Sequence, residues 1–161
     1  MTALLALALF AAAPPPAAPL PPPDPPRAFA AGAGAAVDLD APRGAGVALF
    51  VEYEALDELL ELELGGQEIG AAGRREFSGD LIAKWPRRVA THLELMVGAG
   101  PTLVAERGAK HTTALGLQAA IDLMWWPRPR LGFWVEPTYE VLLRSGPAGA
   151  LGCTVGPMVG W

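Results

Sequence analysis

The sequence predicts an all-β chain folded as an eight-stranded antiparallel up-and-down transmembrane β-barrel. Three observations predict it. From about Phe29 to Trp161, apolar side chains alternate with glycine, alanine and isolated charges. A period of two marks strands, because successive side chains leave opposite faces of a pleated backbone. The alternating segments number eight, the even count a single-chain barrel requires. The chain also opens on an apolar run of the length of a secretory signal.

Residues 1–26 read as a signal peptide and a Pro-rich linker, and residues 27–161 as the barrel domain. Ala3 to Ala13 is an apolar run too short to span a bilayer as a helix. Ala11-Ala12-Ala13 supplies small residues for cleavage, with later cuts at Ala18 or Ala30 as alternatives. Residues 14–26 hold nine of the chain's 17 prolines. Proline fixes φ and cannot donate to a ladder, so this stretch is an extended spacer with no core.

The first strand is expected at 28–40, with Phe29, Ala31, Ala33, Ala35, Val37 and Leu39 on one face. Ala41-Pro42-Arg43-Gly44 has turn composition. The second strand, 45–54, sets Val47, Leu49, Val51 and Tyr53 against Ala48, Phe50, Glu52 and Glu54. In the third element Leu56, Leu59, Leu60 and Leu64 recur at helical spacing, yet Leu60, Leu62 and Leu64 also alternate with Glu61, Glu63 and Gly65. Strand is the reading that agrees with its neighbours.

Gly70 to Arg75 reads as an exposed loop. Strand four, 76–85, places Phe77, Leu81, Ala83 and Trp85 opposite Ser78, Asp80 and Lys84, and Pro86-Arg87-Arg88 reads as a turn. Strand five, 90–104, sets Leu93, Leu95, Val97, Ala99 and Leu103 against His92, Glu94, Met96, Gly98, Gly100 and Thr102. Glu106 to Thr112 is a polar loop. Strand six, 113–125, carries Leu115, Leu117, Ala119, Ile121, Leu123 and Trp125 on one face. After Pro127-Arg128-Pro129-Arg130, strand seven (131–142) sets Leu131, Phe133, Val135, Tyr139 and Val141 against Trp134, Glu136, Thr138 and Glu140. Ser145-Gly146-Pro147 turns into strand eight, where Leu151, Cys153, Val155, Pro157, Val159 and Trp161 share a face.

Alternation alone does not say which face meets water, and three features place lipid outside. The polar face is rich in glycine and alanine, which suit the narrow interior of eight strands. Trp85, Trp125, Trp126 and Trp161 fall at the ends of strands four, six and eight, which share one rim and suit an aromatic girdle. Arg87, Arg88, Arg128 and Arg130 lie beside that rim, where headgroups are anionic. Against this stand Pro101, Pro137 and Pro157 within strands, which are expected to mark bulges. The inward face also collects Glu52, Glu54, Glu61, Glu63, Asp80, Glu94, Asp122, Glu136 and Glu140, with Lys84 among them. Unpaired buried carboxylates are costly, so the interior is wet, or arginines from the turns reach in, or some of the acids are protonated. A network of these acids with Lys or Arg that stiffens the plug is the expected arrangement.

A formal charge of −5 with no basic stripe argues against nucleic acid as a partner. The lone Cys153 excludes an internal disulfide and a multi-cysteine zinc site, and packing is its expected role. Gly98-Ala99-Gly100 lacks the strand–turn–helix setting of a nucleotide loop. His92 and Glu94 share a strand face but are too few for a metal site.

The leader, the eight segments and the terminal Pro157-Met158-Val159-Gly160-Trp161 resemble the small eight-stranded outer-membrane β-barrel proteins of Gram-negative bacteria, the OmpA/OmpX-like superfamily. Gly79 to Pro86, Val97 to Pro101 and Asp122 to Pro127 are similar to uncharacterised outer-membrane barrels of this type. The resemblance covers about residues 28–161. It implies the bacterial outer membrane as location and membrane lipids and lipopolysaccharide as surroundings. It further implies recognition of the Trp161 segment by the barrel assembly machinery.

Some such barrels are lipid A deacylases with a His-x-Ser pair and a downstream carboxylate. The corresponding residues here are His111-Thr112-Thr113 and Asp122, with threonine in place of serine. The sequence therefore predicts a monomeric outer-membrane barrel with a structural or envelope-integrity role and no catalytic residue, cofactor or metal. A soluble periplasmic or secreted barrel binding a small apolar ligand is the first alternative, and a lipid A-modifying enzyme the second.

Overall fold

A computed structural model describes residues 27–40, 44–57, 59–71, 73–108, 111–143 and 148–161. The leader, the linker and the turn residues 41–43 and 145–147 lie outside the described residues. The strands are β1 (Phe29–Asp38), β2 (Gly44–Leu56), β3 (Leu60–Ala71), β4 (Arg74–Ala90), β5 (Leu93–Arg107), β6 (His111–Arg128), β7 (Leu131–Leu142) and β8 (Ala148–Gly160). Each pairs antiparallel with the next, and β8 closes on β1.

Register fixes the shape. A row of partners that leaves Phe29 passes through Tyr53, Leu62, Ala83, Ala99, Ala119, Tyr139 and Leu151. It returns on Leu39, whose N–H donates to Leu151, giving a stagger of ten residues. Eight strands with that stagger tilt by roughly 40°. The eleven residues from Leu115 to Trp125 on β6 then climb about 25 Å, the height of an outer-membrane apolar band. Every outward side chain over that span is apolar.

The faces divide as the alternation requires. Leu49, Leu64, Leu117, Leu123, Val155 and their neighbours are exposed on the outer wall. Glu52, Glu63, Lys84, Gln118, Asp122, Glu136 and Thr154 are buried inside. A water-soluble barrel would have the opposite arrangement, so a soluble barrel with an apolar, ligand-holding core does not fit. The third element is a strand: Leu56 ends β2, Leu59 lies in the turn, and Leu60 onward alternates. Cys153 sits on the outer face between Pro137 and Val37 in register.

Several boundaries differ from expectation. The Gly70–Arg75 loop contracts to a hairpin, with β3 running to Ala71, β4 starting at Arg74 and Gly73 at φ 78°. Pro86-Arg87-Arg88 is strand, and the chain reverses at Thr91-His92. The ladder to β3 stops at Lys84, so Pro86 needs no partner on that side. Glu106 to Thr112 is mostly strand, with His111 opening β6. Pro127 and Arg128 still belong to β6, because Pro127 lies past the last β5 partner of that strand, Trp125.

Pro101, Pro137 and Pro157 do not mark bulges. Each is exposed on the outer wall, and each faces a gap in one ladder. Pairing is missing between Asp80↔Thr102 and Ala83↔Ala99, between Ala120↔Thr138 and Leu123↔Val135, and between Gly32↔Met158 and Ala35↔Val155. The register resumes without a shift on the far side of each gap. The actual shifts fall at Glu54/Leu56, Arg88/Ala90 and Trp125/Arg128, beside the turns nearest the termini.

Candidate functional site

The lumen holds three stacked layers. At the end near the chain termini, Ala30, Phe50, Met96, Met124, Trp126, Trp134 and Met158 form an apolar plug. Phe50 and Trp134 meet edge to face, with ring centroids 4.9 Å apart. Trp125 and Trp126 were both expected in the girdle, but adjacent strand residues cannot face the same way. Trp125 is exposed and Trp126 is buried inside. The Trp126 indole N–H donates to Glu94 at 2.9 Å, and the Arg27 guanidinium stacks 3.7 Å from the indole ring. Arg27 also pairs with Glu94 at 3.2 Å. It is thus Arg27, ahead of β1, that reaches into this mouth.

The girdle itself is built from Phe29, Tyr53, Trp85, Trp125, Phe133 and Trp161, all exposed on the outer wall. Phe29 contacts Tyr53 at 5.0 Å and stacks with Trp161 at 5.9 Å, while Trp125 stacks with Phe133 at 6.0 Å. Aromatic rings prefer this interfacial depth.

Above the plug lies a charged layer centred on Lys84, which is 1% exposed. Its ammonium donates to Glu63 at 2.5 Å, to Glu136 at 2.8 Å and to Asp122. Glu52 lies 3.7 Å away. Glu52 and Glu63 stand directly opposite each other on β2 and β3. Like charges in that position repel, so a shared cation between the strands offsets the cost. Five strands thereby contribute to one layer. Both carboxylate oxygens of Glu52 and one of Asp122 are buried with no hydrogen-bond partner. Glu52, Glu63 and Asp122 have the spacing of a metal triad, but the Lys84 ammonium stands beside them as the resident cation.

Beyond that layer the lumen turns polar, with Gln67, Asp80, Gln118, Thr138 and Thr154 around a small cavity that reaches Glu63 and Glu136. Thr102 donates to Glu140 at 3.0 Å.

The sequence-level candidates for chemistry do not converge. His111 and Thr113 are exposed on the outer wall, whereas Asp122 is buried in the Lys84 layer. His92 lies exposed in a turn, and Glu94 is engaged by Trp126 and Arg27. Gly98 and Gly100 sit in β5, where a side chain at Gly98 would press on Lys84 Cγ (2.6 Å) and Ile82 Cγ2 (2.7 Å). Gly98 thus makes room for Lys84, whereas a side chain at Gly100 would meet the Leu81 backbone. The expected network of acids with Lys84 does form, and five residues from β2, β3, β4, β6 and β7 meet in it.

Sequence comparison matches no family model and no curated protein. Solved structures do match. OprG of Pseudomonas aeruginosa aligns with a TM-score of 0.67 at 10% identity, over 86% of this chain and 99% of that one. The fold is that of the small outer-membrane β-barrels. Neisserial surface protein A gives a TM-score of 0.64 at 11% identity, over 82% of this chain and 94% of that one. The N-terminal β-barrel domain of Pseudomonas aeruginosa OprF gives 0.61 at 15%, over 84% and 98%. At these identities the likeness is one of fold.

Proposed function

We propose that this chain is a monomeric integral protein of the bacterial outer membrane whose role is structural, contributing to envelope integrity. The observation that carries the reading is the inside-out distribution of side chains: a leucine-rich outer wall around a charged, hydrogen-bonded interior. Such a wall is stable only against hydrocarbon. The interior supports a structural role over transport, because the Lys84 layer and the Trp126 plug cross the lumen in series. Among the described residues no nucleophile–base pair converges in the site, so catalysis is not part of the reading.

The remaining features agree with insertion by the barrel assembly machinery, whose cue would be the alternating C-terminal segment ending at Trp161. Residues 1–26 would act as signal and spacer, releasing the barrel domain from about residue 27. The test is a deletion strain assayed for detergent sensitivity and leakage of periplasmic enzyme. Leakage restored by the wild-type gene supports the role. An intact envelope together with stepwise conductance of the purified protein would replace it with transport.

A further inference from the structure

We propose that the outer wall at the rim away from the termini carries a binding site for the phosphate group of a membrane amphiphile, formed by Arg75, Arg107 and His111. The proposal deepens the membrane-spanning reading above and rests on it. Arg75 stands directly opposite Arg107 across β4 and β5, and Arg107 stands directly opposite His111 across β5 and β6. All three side chains are exposed and leave the same outer face. Two guanidinium groups in register repel each other, and such a row is unfavourable unless an anion joins it.

Among the described residues, the charged neighbours of the row are Glu68 on β3, Arg74 and Glu76 on β4 and Glu106 on β5. Glu68 of β3 shares the outer face and pairs with Arg75 at 3.1 Å. Arg74 turns instead to Glu106, at 3.8 Å. Arg107 lies over the Phe77 ring at 5.3 Å, which fixes it beside the wall. A carboxylate thus occupies one flank of Arg75, and the face between Arg75, Arg107 and His111 keeps its positive charge. Guanidinium groups bind phosphate through parallel N–H donors, and the strand spacing of about 4.8 Å suits one phosphate shared by two of them.

The occupant follows from what lies next to the row. Leu103 and Leu115 are exposed on the same wall, four residues along β5 and β6 toward the membrane centre. A ligand with its phosphate on the arginines would rest its remaining bulk on those leucines. That describes an acylated phosphate better than a free anion. In an outer-membrane orientation, with the termini on the periplasmic side, this is the headgroup level of the outer leaflet.

The test uses the full chain refolded into vesicles of equimolar phosphatidylcholine and phosphatidic acid, followed by native mass spectrometry of the lipid retained. The expected result is retention of phosphatidic acid over phosphatidylcholine by about tenfold, falling toward parity in the Arg75→Gln/Arg107→Gln double variant. A heat-dependent gel shift establishes that the variant folds. An undiminished preference in the variant, or none in the wild type, overturns the site. So does displacement of the lipid by an equal concentration of inorganic phosphate, which would mark a free-anion site. A wild-type chain that never enters the vesicles overturns the membrane reading, whereas one that enters without lipid preference overturns the site alone.

Discussion

Lys84 of β4 and Glu136 of β7 meet at 2.8 Å across the lumen, although their strands are not neighbours. Ladder hydrogen bonds join only adjacent strands, so this pair ties together parts of the wall that no ladder connects directly. The same ammonium serves Glu63 and Asp122. The charged layer therefore acts as an internal strut, and its behaviour under mutation should differ from that of any surface pair.

Lys84→Met should leave Glu52, Glu63, Asp122 and Glu136 buried without their common cation. Breaking one partner of a buried ion pair costs about 3–5 kcal/mol. Guanidinium unfolding of the barrel in vesicles would read this directly. A loss below about 1 kcal/mol would mean that the acids are satisfied by other means.

The two faces of β6 should respond differently to the same side chain. Leu117 is 58% exposed and Gln118 6% exposed. Leu117→Arg puts a charge into the leucine belt and should cost up to about 2–4 kcal/mol, less toward either rim. Gln118→Arg enters the cavity beside Glu63, Asp80 and Glu136 and should be milder. Equal losses in the unfolding free energies of the two variants would contradict the facing.

Two glycines should respond with opposite sign. A Cβ at Gly98 would lie 2.7 Å from Ile82 Cγ2 and 2.9 Å from the Ala83 carbonyl oxygen. Gly98→Val should therefore cost about 1–3 kcal/mol through overpacking. At Gly79 the nearest atom to an added Cβ is the Gly65 carbonyl oxygen, at 3.8 Å. Gly79→Ala should be neutral or gain up to about 1 kcal/mol from a less flexible unfolded chain. Unfolding midpoints of the two variants in the same lipid check the signs.

The purified wild-type protein should show no stepwise conductance in a planar bilayer, because the Lys84 layer and the apolar plug lie in series. Steady ion-selective steps would place an open path through the lumen.

Much of this was legible in the alternation. The outward leucines and the inward acids follow from a period of two, which carries side-chain direction strand by strand. Strand ends were less legible, because Pro86 and Pro127 look like turn residues but lie where a neighbouring ladder has already stopped. Trp126 could have been placed from its neighbour, since Trp125 already takes the outward position. The meeting of Lys84 with Glu136 was out of reach of sequence reading. It depends on the ten-residue stagger, which arises from all eight registers together and leaves no local mark. Arg27 was hidden for a similar reason: its partners, Glu94 and Trp126, lie far along the chain.

The central claim is that the leucine face meets lipid and the charged face lies within a closed barrel. Gel mobility of the detergent-extracted outer-membrane fraction, unboiled against boiled, tests it most directly. The account predicts a protein recovered with that fraction whose unboiled form resists SDS and migrates differently until heated. Recovery from the soluble periplasm with a single mobility before and after boiling would contradict it.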